Sequence, residues 1–236
     1  MIEALSGIYC GPPPGPDGFW GRWNLDPPLV AALAAAALAF GRNRPGAAAV
    51  AALALIFVSP LCALSSALFS ARAVHHVVLL AVAAPLAAAA LPRRGAGRPA
   101  LHFATSTAVL WAWHAPAAYD LALSIVGIYW LMQATLFVPA LMFWRAVLSR
   151  DVAPAGALLF VTGAYVQMAL LGAIIAFAPD ALYAIHRTAP LAWGFTPLAD
   201  QQLGGLVMWV PGGLPYAIAA AVVARRAWTM AEGARV

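Results

Sequence analysis

The sequence predicts an all-α polytopic membrane protein with seven transmembrane helices, its amino terminus outside and its carboxyl terminus in the cytoplasm. Of its 236 residues, 64% are hydrophobic and only 9% are charged, and the mean hydropathy is +0.86. Water-soluble domains have far fewer apolar and far more charged residues. The spacing of the apolar segments and the placement of the arginines then predict the number of helices and their direction.

The chain before the first apolar segment, residues 1–25, is predicted to be a polar tail outside the membrane. No basic stretch followed by an apolar core occurs there, so the tail does not resemble a cleaved signal peptide. The run GPPPGP excludes a helix, and Trp20 and Trp23 suit an interfacial position. Asp26 is expected to cap the first helix, with Pro27 in its first turn.

Seven apolar segments follow, each interrupted by Arg, Pro or Gly. A bilayer span needs about 20 residues, so the short first and fourth segments should recruit flanking residues. Together the segments form one predicted transmembrane domain, residues 26–228, followed by a cytoplasmic tail, residues 229–236. The predicted spans are Leu29–Phe40, Ala47–Phe69, Val74–Leu91, Ala100–Trp113, Leu121–Val147, Ala155–Phe177 and Leu203–Ala224.

The arginines predict the direction of the chain. With seven spans, one side receives Arg42, Arg44, Arg93, Arg94, Arg98, Arg145, Arg150, Arg225, Arg226 and Arg235, and the other receives Arg22, Arg72 and Arg187. Cytoplasmic loops of membrane proteins carry the excess of basic residues, so the first side is predicted to be cytoplasmic. The net charge of +5 is explained by these loops, and no nucleic-acid partner is expected. The lipid bilayer is the surrounding partner.

Enzymatic signatures are missing from the sequence. It contains no phosphate-binding loop, no dinucleotide fingerprint, no HExxH and no CxxC. Serine, histidine and aspartate residues occur toward the outer side, but no sequence pattern places them together as a catalytic triad. A non-enzymatic function is therefore predicted.

The predicted topology brings candidate metal ligands to the outer ends of several helices. His76 begins the third segment and His114 ends the fourth, while Cys62 and Met208 lie about 10 Å below the outer boundary. Imidazole, thiolate and thioether ligands suit Cu(I), so these four residues are the candidate copper ligands. Two cysteines are too few for a disulfide framework, but Cys62 could still form a single bridge with Cys10 instead of binding a metal.

Each candidate also has a purely structural interpretation. A histidine at the membrane interface can simply join two helices by a hydrogen bond. Met208 can be packing, and Gly204 with Gly205 can be a close-packing patch. His75 lies about 100° from His76 around a helix, so the two rings should not face one site. Arg72 shares the face of His76 and could pair with Asp120 or Asp200.

Three stretches of this chain resemble one family. They are DQQLGGLVMWVPGG from Asp200 to Gly213, WHAPAAYD from Trp113 to Asp120, and RAVHHVVLL from Arg72 to Leu80. These resemble the CtaG family of polytopic membrane proteins implicated in cytochrome c oxidase assembly, from about Trp23 to about Arg226. The residues that the resemblance carries over are His76, His114, Tyr119, Asp120, Asp200, Gln201, Gln202, Met208 and Trp209.

The resemblance implies a seven-helix protein of the bacterial cytoplasmic membrane that works in the maturation of haem-copper oxidase. It implies a metallochaperone-like step, copper insertion at the outer face, with oxidase subunits or other assembly factors as partners. This chain also departs from the family pattern. Many members have His where Arg72 stands, and a His pair where this chain has Tyr129 and Gln133. If those histidines bind metal in other members, part of the site is lost here.

Two other functions stay open at this stage. A haem-binding or haem-handling membrane protein would use His76 and His114 as axial ligands. A structural subunit of a respiratory complex would hold its partners through small-residue helix faces. Independently of either, buried amides need partners, so Asp200, Gln201 and Gln202 are expected to bridge to the outer ends of the third and fourth helices.

Overall fold

The computed structural model describes residues 7–91, 98–149 and 151–233, and within these ranges the chain is helical with no strand. Short 3-10 turns occur at Phe19–Gly21, Ala184–His186 and Ala189–Trp193. The helices are α1 (Pro27–Phe40), α2 (Arg44–Phe57), α3 (Pro60–Ala67), α4 (Phe69–Ala90), α5 (Pro99–His114), α6 (Pro116–Ser124), α7 (Val126–Leu148), α8 (Pro154–Ala176), α9 (Pro197–Trp209) and α10 (Gly213–Gly233).

Four helical stretches in the described ranges are long and apolar enough to cross a membrane: α4, α7, α8 and the joined α9 and α10, Pro197–Glu232. A fifth span results if α2 and α3, which meet at an angle of 47°, are counted together. Helix α1 is apolar but shorter. Each of the seven predicted segments thus contains a helix. Seven spans and the direction of the chain remain predictions.

Prolines and small polar caps determine where many of the helices begin. Proline occupies the first turn of α1, α2 and α3, where its missing N–H would be unpaired in any case. Asn43 and Ser59 cap α2 and α3 by accepting from Gly46 N and Leu61 N. The expected cap at Asp26 is wrong. Its carboxylate accepts from Tyr9 Oη at 2.7 Å and makes no bond to the first turn of α1.

The segment before α1 is held against the helices. A disulfide joins Cys10 to Cys62 of α3, and the ring of Tyr9 stacks on Tyr129 of α7 with the centroids 5.0 Å apart. Asn24 N donates to Val58 O at 2.8 Å, at the bend between α2 and α3. Trp20 stays 75% exposed, as expected for an interfacial aromatic residue.

Helix α4 contains a π-helical turn, Val78–Ala83, immediately before Pro85. Proline cannot donate to the carbonyl of the preceding turn, and a π turn is one way in which a helix absorbs such an interruption. Trp144 of α7 donates its indole N–H to Leu80 O at 2.8 Å within this turn. The altered stretch is therefore tied to the neighbouring helix.

Glycines bring α8 and α9 into close contact. A Cβ placed on Gly172 would lie 2.7 Å from Gly205 O, and one on Gly205 would lie 2.6 Å from Ala176 N. Both distances are too short for a real side chain. The close-packing interpretation of Gly205 is confirmed, and Gly204 likewise lies against the ring of Phe69 in α4.

Not every arginine used for the predicted direction lies where a loop was expected. Arg72 is buried inside α4, with 1% of its surface exposed, so it carries no information about an outer loop. Other positions used in that argument lie outside the described residues, as does most of the connection between the third and fourth segments. These positions are Arg93, Arg94, Arg150 and Arg235.

Candidate functional site

Helix α4 buries three polar side chains within two turns of its beginning. Arg72, His75 and His76 are 1%, 0% and 2% exposed. Arg72 and His76 share a face because they are four residues apart. No hydrogen-bond partner in the described protein reaches either ring nitrogen of His75 or His76, nor Nε and Nη2 of Arg72. Buried polar groups without partners are rare in proteins, so this helix face requires a physical explanation.

His114 meets this face from the end of α5. Its ring centroid lies 5.5 Å from that of His76, and the rings are inclined at 75°. His114 Nδ1 lies 2.8 Å from Leu110 O. A carbonyl only accepts, so Nδ1 carries the proton and Nε2 keeps its lone pair. The predicted neighbours His76 and His114 are therefore brought together, and His114 has a nitrogen suited to a metal ion.

His75 occupies a different environment from His76. Its ring packs edge-on to Phe57 of α2, with the centroids 4.9 Å apart, and lies 5.8 Å from the ring of His76. The helix geometry thus turns His75 toward α2 and His76 toward α5. This arrangement agrees with the expectation that the two rings would not face one site.

Helix α7 contributes Tyr129 and Gln133 to the same region. Arg72 Nη1 lies 3.5 Å from Tyr129 Oη, and the guanidinium carbon lies 5.3 Å from the centre of the Tyr129 ring. Gln133 is 3% exposed, and neither atom of its amide has a protein partner among the described residues. These are the two positions at which this chain departs from the family pattern on its fifth segment.

The loop of residues 177–196 closes over His114 through the WHAPAAYD stretch. Tyr183 Oη donates to His114 O at 3.0 Å. Tyr119 Oη lies 2.9 Å from Nε2 of His186, whose Nδ1 lies 3.2 Å from Ala67 O. Asp120 accepts from Ala184 N at 3.0 Å and Ile185 N at 3.3 Å. Tyr119 and Asp120 thus position this loop.

His186 is the member of this cluster that was not among the candidate site residues. Burial lowers its pKa to about 4, so the ring is neutral at pH 7 and can accept from Tyr119 while donating to Ala67 O. Its place in a loop of mixed composition gives no periodic signal. Only the contact with Tyr119, 67 residues away in the chain, shows where it lies.

Asp200 caps helix α4 from α9. It is fully buried and accepts from Phe69 N at 2.6 Å, Ser70 N at 3.2 Å and Ser70 Oγ. Carboxylates are favoured at helix amino termini, where N–H groups are unpaired. Asp200 therefore reaches the third segment as expected. The expected pairing of Arg72 with Asp120 or Asp200 is wrong, because backbone N–H groups occupy both carboxylates.

The paired amides have different surroundings. Gln201 is buried and joins the end of α8 to the loop of residues 177–196. Its amide oxygen accepts from Leu182 N at 2.6 Å, and its amide nitrogen donates to Ile175 O and Asp180 O, each at 3.3 Å. It does not reach the third or fourth segment. Gln202 is half-buried.

Met208 and Trp209 lie one to two turns further along α9. Met208 is buried, on the face that Gly204 turns toward α4, and its Cβ also borders Gly172 of α8. Trp209 is half-buried, with its ring 5.9 Å from that of Phe177. Trp209 packs near Phe177, whereas Met208 packs against α8 one helical turn after the glycine that meets α4.

The disulfide changes the interpretation of Cys62. Its sulfur is bonded to Cys10, so this form of the protein has no thiolate at Cys62 to bind copper. The bridge still borders the cluster, because Cys10 Sγ lies 3.8 Å from Tyr129 Oη. In the described ranges, no group of three or more His, Cys, Asp and Glu side chains is arranged to hold a metal ion. The histidine pair is the remaining set of imidazole ligands.

Comparison with known proteins places these features in a family. No curated protein and no solved structure matches the chain. A family model described as cytochrome c oxidase caa3 assembly factor matches residues 38–230, which include every candidate residue above. The chain therefore belongs to the Caa3_CtaG family of cytochrome c oxidase assembly factors.

Proposed function

We propose that this protein assists maturation of a copper centre of cytochrome c oxidase, by holding Cu(I) between His76 and His114 at the outer face of the bacterial cytoplasmic membrane. Membership of an assembly-factor family supports the biological process. One observation supports the chemistry: the two imidazoles lie 5.5 Å apart by their centroids, both nitrogens of His76 lack a partner in the described protein, and the bond of His114 Nδ1 to Leu110 O leaves Nε2 as the ligand atom.

The separation of the two rings suits a shared ion. Metal–imidazole bonds are about 2 Å long, so two rings on one ion have centroids roughly 6 Å apart when the ligands are opposite. A separation of 5.5 Å corresponds to an angle of roughly 120–130° between the two ligands at the ion, which suits a three-coordinate site. Cu(I) accepts imidazole and thioether ligands. Met208, which follows Gly204 on the face toward α4, is the proposed third ligand.

A site with few ligands suits a cargo that must leave. Two histidines leave coordination positions open to ligands from an acceptor subunit, so copper can pass by ligand exchange. Arg72 is buried on the same face of α4 as His76, and its positive charge repels a Cu(I) ion bound there. We expect this repulsion to weaken retention and favour release. Histidines in place of Arg72, Tyr129 and Gln133, which the family resemblance implies for other members, would retain copper more tightly.

Two observations support the outer face. Disulfides persist in oxidising compartments, and the Cys10–Cys62 bridge lies at the same end of the bundle as the histidine pair. The arginine distribution independently predicts that this end is outside. The proposed location is therefore the side on which copper would be delivered from outside the cytoplasm.

The alternatives receive less support. Two axial histidines would bind haem only if a porphyrin fitted between them, and His76 and His114 are 2% and 4% exposed among packed side chains. A structural subunit would need no buried nitrogens without partners. An assembly factor with a non-catalytic, transient role accounts for the family and the site together.

The experiment compares His76→Ala, His114→Ala and the double variant with a matched control, His102→Ala, which alters a half-buried histidine at the other end of α5. Copper content of the purified protein and oxidase activity of the membranes are measured. Each site variant should lower both, and the double variant should add little, because residues that share one ion are not additive. Unchanged copper content in both single variants would refute the shared site. A visible haem spectrum in the wild type would favour the haem alternative.

A further inference from the structure

A cavity lies toward the opposite end of the bundle from the histidine pair. Its volume is about 450 Å³, and it is lined by α4, α7 and α10, within the range of ligand-binding pockets. It runs along α4 from Ala81 to Ala89, a length of about 12 Å at the helical rise per residue. Its walls are almost entirely apolar.

The cavity opens sideways toward the bilayer. Leu214 and Ile218 of α10 line it and are each 65% exposed. Apolar side chains with this exposure on a membrane-spanning helix face acyl chains, which have no barrier to entering the cavity. The apolar part of an occupant is therefore expected to come from the membrane itself.

Two arginines lie at one end of the cavity. Arg145 is in the last turn of α7, and Arg226 of α10 donates to the final carbonyls of α7, Leu148 O at 3.1 Å and Ser149 O at 3.4 Å. A guanidinium has five N–H donors, so Arg226 retains donors for a further acceptor. In the part of the chain that the structure describes, the one hydrogen bond of the Arg145 side chain is to the sulfur of Met142, at 4.0 Å.

We propose that this cavity binds one anionic phospholipid, with an acyl chain along α4 and the phosphate between Arg145 and Arg226. An apolar groove with two guanidiniums at one end, neither of them paired with a carboxylate of the described residues, complements a molecule that has a long tail and a negative head. Basic pockets between helices on the cytoplasmic side bind anionic head groups, and the predicted topology places both arginines on that side. Zwitterionic phospholipids share the tail but not the net charge.

The test uses the full-length protein, stripped of lipid in detergent and titrated with phosphatidylglycerol or phosphatidylcholine of identical acyl chains. Bound lipid is counted by native mass spectrometry. The wild type should retain phosphatidylglycerol in preference to phosphatidylcholine. Arg145→Gln and Arg226→Gln should each reduce that preference about fivefold, the effect of one basic residue on binding an anionic lipid.

The control is Arg225→Gln, which removes the same charge from an exposed neighbour that does not line the cavity. Its lipid preference should equal that of the wild type. Ala89→Trp keeps both arginines but fills the cavity, and should lose the bound lipid. For the three arginine variants each comparison is a ratio between two lipids on one variant, so a general loss of stability cancels; for Ala89→Trp an unchanged thermal unfolding temperature in detergent shows that the fold is intact. Equal binding of the two lipids, an equal effect of Arg225→Gln, or retention by Ala89→Trp would overturn the proposal.

Discussion

Arg72 places the largest electrostatic demand on its surroundings. Arg72 is 1% exposed, and its only polar partner among the described residues is Tyr129, which offers its hydroxyl and its ring. A buried charge without a paired carboxylate is costly, and a desolvated cation over an aromatic ring offsets about 2 kcal/mol or somewhat more of that cost. If the proposed copper site is correct, the charge of Arg72 acts directly on the ion that His76 would hold, because the two side chains share one face of α4.

The burial of His186 should make the stability of the loop of residues 177–196 depend on pH. Burial lowers its pKa from 6.5 to about 4, so between those values the unfolded chain binds a proton that the folded chain does not. Stability contributed by neutral His186 is present above pH 6.5, falls as the pH drops toward 4, and is lost below 4. The full loss is about 3 kcal/mol. Chemical unfolding of the detergent-solubilised protein at pH 7 and pH 5 measures it.

His186→Gln is the comparison variant for this effect. Glutamine can still accept from Tyr119 Oη but does not titrate in this range. Its unfolding free energy should therefore depend less on pH than that of the wild type. Identical pH dependences would show that His186 is not the titrating group.

The chemistry of individual residues could be predicted better than their partners. The sequence predicted that His76 and His114 would be neighbours, because the segments that carry them are consecutive and antiparallel. It also predicted that Asp200 would reach the third helix, but not that its carboxylate would cap the first N–H groups of α4, which begin 131 residues earlier in the chain. Residue type shows that a carboxylate needs donors, but several N–H groups of several helices can satisfy it. For the same reason, the sequence could not decide whether Cys62 forms a disulfide with Cys10 or binds a metal as a thiolate.

Glycines determine how closely α8 and α9 approach. Gly205→Ala should destabilise the protein by about 1–3 kcal/mol, because the added methyl group meets the backbone of Ala176, which cannot rotate away. Gly127→Ala is the matched control. It lies in α7 with nothing within 4 Å of the new Cβ, so its helix propensity should make it neutral or slightly stabilising. Thermal unfolding in detergent compares them, and equal shifts would mean that α8 and α9 are not in close contact.

Hydropathy predicted the helical segments but missed their interruptions. All seven contain helices, yet the second bends between α2 and α3, and the fifth begins only after a break at Ile125. Hydropathy averages over a whole bilayer span and does not respond to one residue that leaves the helix. Pro60 was visible as a signal for the first break. Ile125, which adopts an extended conformation, carries no such signal in the sequence.

The direction of the whole molecule can be tested by its ends. A reporter fused after Val236 should behave as cytoplasmic, whereas one inserted into the loop 180–196 should be accessible from outside. Protease protection in spheroplasts and inside-out vesicles measures both. The Cys10–Cys62 bridge predicts the same side for the loop end. If both reporters lie on one side, the number of spans between them is even and seven spans is wrong.

The bond from Asp200 to α4 also has a consequence in time. The carboxylate that caps the first histidine helix is translated 131 residues after Phe69. Until α9 is inserted, the N–H groups of Phe69 and Ser70 must use other acceptors, and Asp200 itself must remain solvated. Docking of the last candidate span, α9 joined to α10, therefore completes the end of the bundle where His76 and His114 meet. A nascent chain acquires the geometry of this site only as its synthesis ends.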